Sequence, residues 1–500
     1  MEEINQIKIA NALNLPTLNI KSQLNLNIDS NAYIKQVLNI ETCLIEHQIE
    51  TLSNKAVIKG TIGVKIVYMD TDNIFNTLSD TVNFSETINS DNISHNCIID
   101  VNNSQFVSEF DNDDKTLRIN IYGTIDCFCI LNNDLKLFNQ SEGLVCKKNV
   151  ISANSCIQQV NKTLNYDFDF KLDWKINKLL SYNSQLVIDE TSCHDGYILA
   201  KGEIINTFVY EIENNLNNIK IHTNSTPFKL EAEATNCDND CMADLNAYIN
   251  LNTTQITTDI NENYTNFNIE YSIVATGFVY KNININVIED LYSLDNFVEP
   301  TTNKYNLSQK LPQFKSYENV DTEITLADEL NVDEILGMVN TSSTITQYAI
   351  KENTLIIEGV VNGTLLYLDE TRTTKQLSTQ LPYSISIKQE LNGSMCGLRA
   401  HTIPISCKCK IKRGNTLIVD YELCIIGHCY IAQEIELIDN IKYGNPLNYG
   451  DIAFQIYLAR QNETIWDLCK RLHTTQEKLT EFNNDLPSTF LGGEKIVVYR

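Results

Sequence analysis

The sequence lacks most of what would mark an enzyme, a membrane protein or a nucleic-acid binder. No Gly-x4-Gly-Lys-Ser/Thr loop, Gly-x-Gly-x2-Gly turn, Gly-x-Ser-x-Gly elbow or His-Glu-x2-His pair occurs, so the common phosphate, nucleophile and metallo-hydrolase motifs are missing. No run approaches the ~20 consecutive apolar residues of a membrane-spanning helix, and no membrane insertion is expected. Basic residues are few. With 38 Lys and Arg against 64 Asp and Glu the net charge is −26, a surface that repels phosphate backbones and anionic lipid headgroups. Nucleic acid is therefore not an expected partner. The fifteen cysteines include no CxxC pair, so zinc-finger and zinc-ribbon spacing is absent. One looser zinc set, Cys407, Cys409, His428 and Cys429, is the alternative to buried reduced thiols. The first residues, MEEINQIKIANALNLPTLNI, carry two acids and no signal-type apolar core, and the chain is expected to stay where it is made, with its cysteines reduced. No cofactor, metal or catalytic residue is expected.

What is present is a repeated strand. In Ala56–Asp70, AVIKGTIGVKIVYMD, the even positions are apolar or small and the odd ones mostly polar, the period of a strand with one buried face. The pattern returns at Leu199–Glu211 and at Leu355–Asp369. Each time a Gly precedes a Tyr by eight residues, as Gly60/Tyr68, Gly202/Tyr210 and Gly359/Tyr367. An even separation puts both on one face. A carboxylate follows: Asp70, Glu211 and Asp369.

The surrounding frame repeats too. An opening Leu stands 22, 22 and 23 residues before the Gly (Leu38, Leu180, Leu336). An aromatic follows the Tyr by 16, 18 and 16 residues (Phe84, Phe228, Tyr383), and a long β-pattern closes each copy. The last two closing patterns share Tyr271/Gly277/Tyr280 and Tyr421/Gly427/Tyr430, while the first has Cys127 in the Gly position. Polar or Pro/Gly-bearing stretches at Lys147–Asn165, Phe297–Tyr317 and Ile441–Gly450 read as linkers. The expected organisation is a mainly β chain with an N-terminal arm over 1–31 and repeats over 32–146, 166–296 and 318–440. Each repeat is long enough for its own core.

From 452 to 500 the period changes. A short strand, IYLAR, precedes a helix opened by Thr464-Ile-Trp-Asp467, a capping-box variant. Thr474 with Glu477 opens a second helix, and KIVVY is a closing strand. This β-α-α-β tail resembles a LysM domain at Tyr457, Asn462-Glu463-Thr464-Ile465-Trp466, Leu479, Asn483 and Gly492-Gly493. It departs from the family at the usual Gly-Asp and Pro-Gly positions. The resemblance implies a glycan groove, with Glu463, Thr464 and Ile465 on one side and Asn484, Asp485 and Leu486 on the other. Trp466 is expected in the tail core.

With that tail behind them, the three repeats resemble the SPOCS domains of clostridial spore-envelope proteins. The resemblance implies a non-catalytic assembly protein of the mother-cell cytoplasm, acting at the forespore surface. Its implied partners are the spore-coat morphogenetic ATPase and other spore-envelope proteins. Peptidoglycan glycan held in the LysM groove is the alternative. A wall hydrolase is disfavoured, because each repeat places one carboxylate after its strand, whereas glycosidases need two flanking one sugar. The markers Gly60, Tyr68, Gly202, Tyr210, Gly359 and Tyr367 are read as architecture, and Cys193-His194 as a turn.

Overall fold

The computed structural model describes all residues except 1–4, 28–33, 114–115, 139–141, 213–218, 252, 327–331, 389–393, 413–415, 449–453, 484 and 500. The chain is mainly β. Seven strands come first: β1 (Asn5–Asn14), β2 (Leu18–Asn27), β3 (Ile34–Leu52), β4 (Lys55–Asp70), β5 (Phe75–Asn89), β6 (Cys97–Asp113) and β7 (Thr116–Leu137). Next come β8 (Leu144–Leu172), β9 (Ile176–His194), β10 (Tyr197–Ile212), β11 (Ile219–Glu233), β12 (Cys241–Ile249), β13 (Gln255–Ile260) and β14 (Thr265–Ser293). Then follow β15 (Asn296–Lys310), β16 (Phe314–Thr325), β17 (Val332–Lys351), β18 (Thr354–Asp369), β19 (Thr374–Lys388), β20 (Ser394–Lys412) and β21 (Thr416–Pro446). The tail is β22 (Phe454–Leu458), α1 (Ile465–Leu472), α2 (Gln476–Phe482) and β23 (Lys495–Tyr499). Among the described residues no helix is long and apolar enough to cross a membrane.

The three Gly–Tyr strands are β4, β10 and β18, each the centre of a three-stranded antiparallel sheet, in the orders β3-β4-β5, β9-β10-β11 and β17-β18-β19. The glycine and the aromatic noted downstream are direct cross-strand partners: Gly60 opposite Phe84, Gly202 opposite Phe228 and Gly359 opposite Tyr383. A Cβ at any of the three would run into that ring and into a carbonyl of the other neighbouring strand, from Glu46, Val187 or Thr344. The register slips beside each glycine, at Leu44/Glu46, Lys201/Gly202 and Ile345/Gln347. A bulge that brings one strand's carbonyl inward leaves room for glycine alone.

Two of the three carboxylates organise turns. Asp70 Oδ1 accepts from the amides of Asp72 and Ile74, and Asp369 Oδ1 from those of Thr371 and Thr373. Glu211 accepts from the side-chain amide of Asn177. Tyr210 and Tyr367 are buried and Tyr68 is half-buried, with Tyr210 accepting from Trp174 Nε1 at 3.2 Å.

The long closing strands β7, β14 and β21 are each paired along both edges, and this corrects the expected linkers. Lys147–Asn165 lies inside β8, hydrogen-bonded along β14. Residues of Phe297–Tyr317 form β15 and the start of β16, both on β21. Ile441–Gly450 continues β21 as far as Pro446. The N-terminal arm supplies β1 and β2, which flank β7. Ser and Asn alternating with aliphatic residues mark the solvated face of a strand here, where their density had suggested loop. Pro300 is tolerated because β15 is an edge strand, where a missing N–H can face outward.

Each unit has its own apolar core, yet other clusters draw on all three. Leu38, Val67 and Phe75 pack with Leu180 and Val209 and with Val339 and Leu366. Ala10 and Phe128 pack with Phe278, Tyr280 and Tyr430. The centre of this shared interior is ionic. Asp100 on β6, Asp244 on β12 and Arg399 on β20 occupy matching places, opposite Phe128, Phe278 and His428 on the closing strands. Arg399 Nη2 lies 2.5 Å from Asp100 Oδ2, and Nη1 lies 3.7 Å from Asp244 Oδ2. The side chains of all three are at most 5% exposed, and the guanidinium sits against the rings of Phe128 and Phe278 at 5.7 and 5.2 Å. Burial is the largest single influence on Asp244 and opposes its charge, but Arg399 and Lys310, with the hydrogen bond from Tyr430, together hold the carboxyl well below the usual range.

Candidate functional site

The tail folds as its pattern suggests. Thr464 caps α1 with the full capping box: its Oγ1 accepts from Asp467 N and Asp467 Oδ2 accepts from Thr464 N. The helix ends on His473 in the left-handed region, at φ 48°. The second helix differs by one residue from the expected start. Its cap is Thr475, which accepts from Lys478 N, whereas Thr474 is buried and its carbonyl accepts from Tyr292. Leu468, Cys469, Leu472, Leu479, Phe490, Ile496 and Val498 form the tail core together with Tyr292 from β14.

Trp466 does more than fill that core. Its Nε1 donates to Asp290 Oδ2 at 2.8 Å and its ring meets Tyr292 edge-on at 5.2 Å. Lys470 pairs with the other oxygen of Asp290 at 2.5 Å, and His473 Nδ1 lies 2.9 Å from the carbonyl of Ser293. One face of α1 is thus pinned to the end of β14.

The two loops expected to form a groove are joined at their base. Thr464 makes a bridge with Thr489, and the amide of Phe490 donates to Glu463 O at 2.9 Å. Glu463 is buried. Its carboxylate accepts from Arg471 Nε at 2.7 Å, Arg471 Nη2 at 2.9 Å and Arg460 N at 2.8 Å. Burial is the largest single influence and works against the charged form, but Arg471 and the Arg460 amide together keep the carboxyl below its ordinary value. Thr464 is exposed but tied into the cap, while Ile465 and Leu486 are half-buried against the tail core. Asp485 is exposed with φ at 55°. Asn484 lies outside the described residues. Gly492 and Gly493 both have positive φ, at 100° and 93°, so the second loop needs glycine where the LysM pattern has Pro-Gly.

The open face of the tail sheet carries a surface that the sequence reading passed over. In β22 the apolar side chains Phe454, Ile456 and Leu458 are 60%, 59% and 58% exposed. Tyr499, opposite Phe454 on β23, is 53% exposed and stacks on Phe482 at 5.3 Å. The inward side is taken by Tyr457, Ile496 and Val498. The signal was there as alternation over 454–458, apolar on the even positions, as on any strand with two apolar faces. Acidic and basic side chains balance within residues 454–500, so the chain's −26 lies outside the tail.

All fifteen cysteines are free thiols, and no group of three or more His, Cys, Asp or Glu is placed to hold a metal among the described residues. Burial pushes Cys193 up to about 12, which leaves no thiolate beside His194 for nucleophilic work. His194 instead lies 3.1 Å from Ser192 Oγ and stacks on Tyr197.

Against known families, residues 33–104 match the family model described as SipL, SPOCS domain. The matched stretch runs through β3, β4 and β5 and into β6. No curated protein matches the chain, and no solved structure does.

Proposed function

We propose that this protein is a non-catalytic scaffold of bacterial spore-envelope assembly. In this reading the chain is built from three SPOCS-like units, and a LysM-like tail docks a partner protein. The SPOCS match at 33–104 supports a sporulation-related role, and the recurrence of one sheet order around β4, β10 and β18 supports extending the reading to the other two units. The observation that carries the docking role is the open tail face. A two-stranded sheet with Phe454, Ile456, Leu458 and Tyr499 in water has the character of an interaction surface. It sits on a tail whose acidic and basic side chains balance.

The partner class is a spore-envelope protein, with the coat morphogenetic ATPase first among candidates, met at the forespore surface of the mother cell. Glycan binding is the weaker reading, because the Glu463 carboxylate is consumed by Arg471 and the loops are bridged at Thr464 and Thr489. Fluorescent tagging during sporulation tests the role: a ring around the forespore is expected, and diffuse signal would count against it. Co-purification compared between the full chain and one ending at Tyr449 tests the tail. Equal partner recovery from both would remove its docking role.

A further inference from the structure

We infer that two copies of this chain pair through the outer edge of β22, joining their tail sheets into one four-stranded antiparallel sheet. The tail sheet has only two strands, β22 and β23, so each has one edge without a strand beside it. Ala459 donates across to Glu494 O at 2.9 Å, and the register runs back from there to Phe454 opposite Tyr499. Antiparallel pairs alternate between hydrogen-bonded and non-bonded. Ile456 and Val497, which face each other, therefore turn their N–H and C=O outward.

The two edges are not equivalent. At Val497 one side chain meets both outward groups: Asn483 Nδ2 donates to the carbonyl at 2.7 Å and Asn483 Oδ1 accepts from the amide at 2.8 Å. At Ile456 neither group has a partner among the described residues. Only the far end of that edge is closed, where Leu458 O accepts from Arg471 Nη2 at 3.3 Å. The strand itself, FQIYL, carries no charge, no proline and no bulge, the devices that usually keep an edge from pairing. The chain thus seals one edge of its tail sheet and leaves the other able to pair.

A second copy fits this edge. Antiparallel pairing about a two-fold axis at Ile456 sets that residue against its own counterpart with both N–H···O bonds made, and sets Phe454 against Leu458 of the second copy. The exposed side chains of Phe454, Ile456 and Leu458 then meet as apolar cross-strand pairs on one face. Charge selects the same contact. Whole copies repel at −26 each, while acidic and basic side chains balance within residues 454–500, so the tails are where two copies approach most easily. An interface built on a five-residue strand is small beside those of permanent dimers, and a concentration-dependent dimer follows. The edge is separate from the open face used in the proposed function, and pairing sets two such faces side by side.

Sedimentation of the full chain over a range of concentrations tests this. A monomer–dimer equilibrium is expected, strengthened by added salt, which screens the repulsion between the two acidic bodies. Ile456→Pro keeps an apolar side chain and removes only the outward N–H, so it should weaken the dimer about tenfold or more. In the unaltered chain, exchange of the Ile456 amide should slow as concentration rises, while that of Val497, already bonded to Asn483, stays constant. A monomer at every concentration, a dimer weakened by salt, a dimer indifferent to Ile456→Pro, or Ile456 exchange independent of concentration would overturn the inference. Partner capture by Ile456→Pro reads the proposed function separately, so either can fail alone.

Discussion

Two of the ionic junctions in this molecule differ in what surrounds them. Arg399 with Asp100 and Asp244 is sealed among Phe128, Phe278 and Tyr430, its guanidinium 2% exposed. Lys470 with Asp290, which pins the tail, leaves the two side chains 41% and 29% exposed. A buried pair that loses one member strands a charge in a dry interior, whereas a wet pair that loses one member is rehydrated. The three units should therefore behave as one cooperative body, with the tail attached by a weaker hinge of packing and polar contacts. That division suits the proposed scaffold role, in which the recruiting element adapts while the body stays fixed.

The largest effect should come from Arg399→Met, which leaves Asp100 and Asp244 buried without a partner. A loss of about 3–5 kcal/mol is expected in chemical denaturation, with all three units unfolding together. Separate transitions for the units would break the comparison. Next, Gly202→Ala puts a Cβ against the carbonyl of Val187 and the ring of Phe228, costing about 1–3 kcal/mol as overpacking. Trp466→Ala should act locally. It removes the Asp290 hydrogen bond and the Tyr292 contact, so hydrogen exchange should speed up in α1 while β4, β10 and β18 keep their protection.

Acid should separate the two regions further. His401 and His428 titrate near 4 in the folded body, against about 6.5 unfolded. Their stabilising contribution is complete above pH ~6.5 and is lost as pH falls towards 4. The tail's own acid sensitivity comes from Glu463, whose carboxyl is held below its ordinary value, so that contribution is present above the ordinary carboxylate range and is lost as pH falls through it. Glu463→Gln should flatten tail melting below pH 4.5 and leave the body's pH profile unchanged, a small effect measured by pH-dependent exchange.

Much of the fold was legible from residues alone, for identifiable reasons. Gly60, Gly202 and Gly359 with Phe84, Phe228 and Tyr383 recur because a bulge and a ring demand them at one register. The linkers were misread because β8 and β15 carry polar side chains on a solvated face, which resembles loop composition. The central junction was illegible for a deeper reason. A comparison of repeats looks for sameness, and Asp100, Asp244 and Arg399 work by being different at one matching place. In the tail, the loops drew notice through family likeness, while the exposed face of β22 was hidden by ordinary strand alternation.

The most direct test of the account is partner capture from sporulating cells by the full chain, by Ile456→Arg and by Thr464→Ala. Ile456→Arg puts a charge at the centre of the open tail face without touching the tail core, and Thr464→Ala alters the loop. The account predicts that Ile456→Arg loses the partner and the forespore ring while Thr464→Ala keeps both. Retention by Ile456→Arg, with loss on Thr464→Ala, would contradict it and return the binding role to the loops.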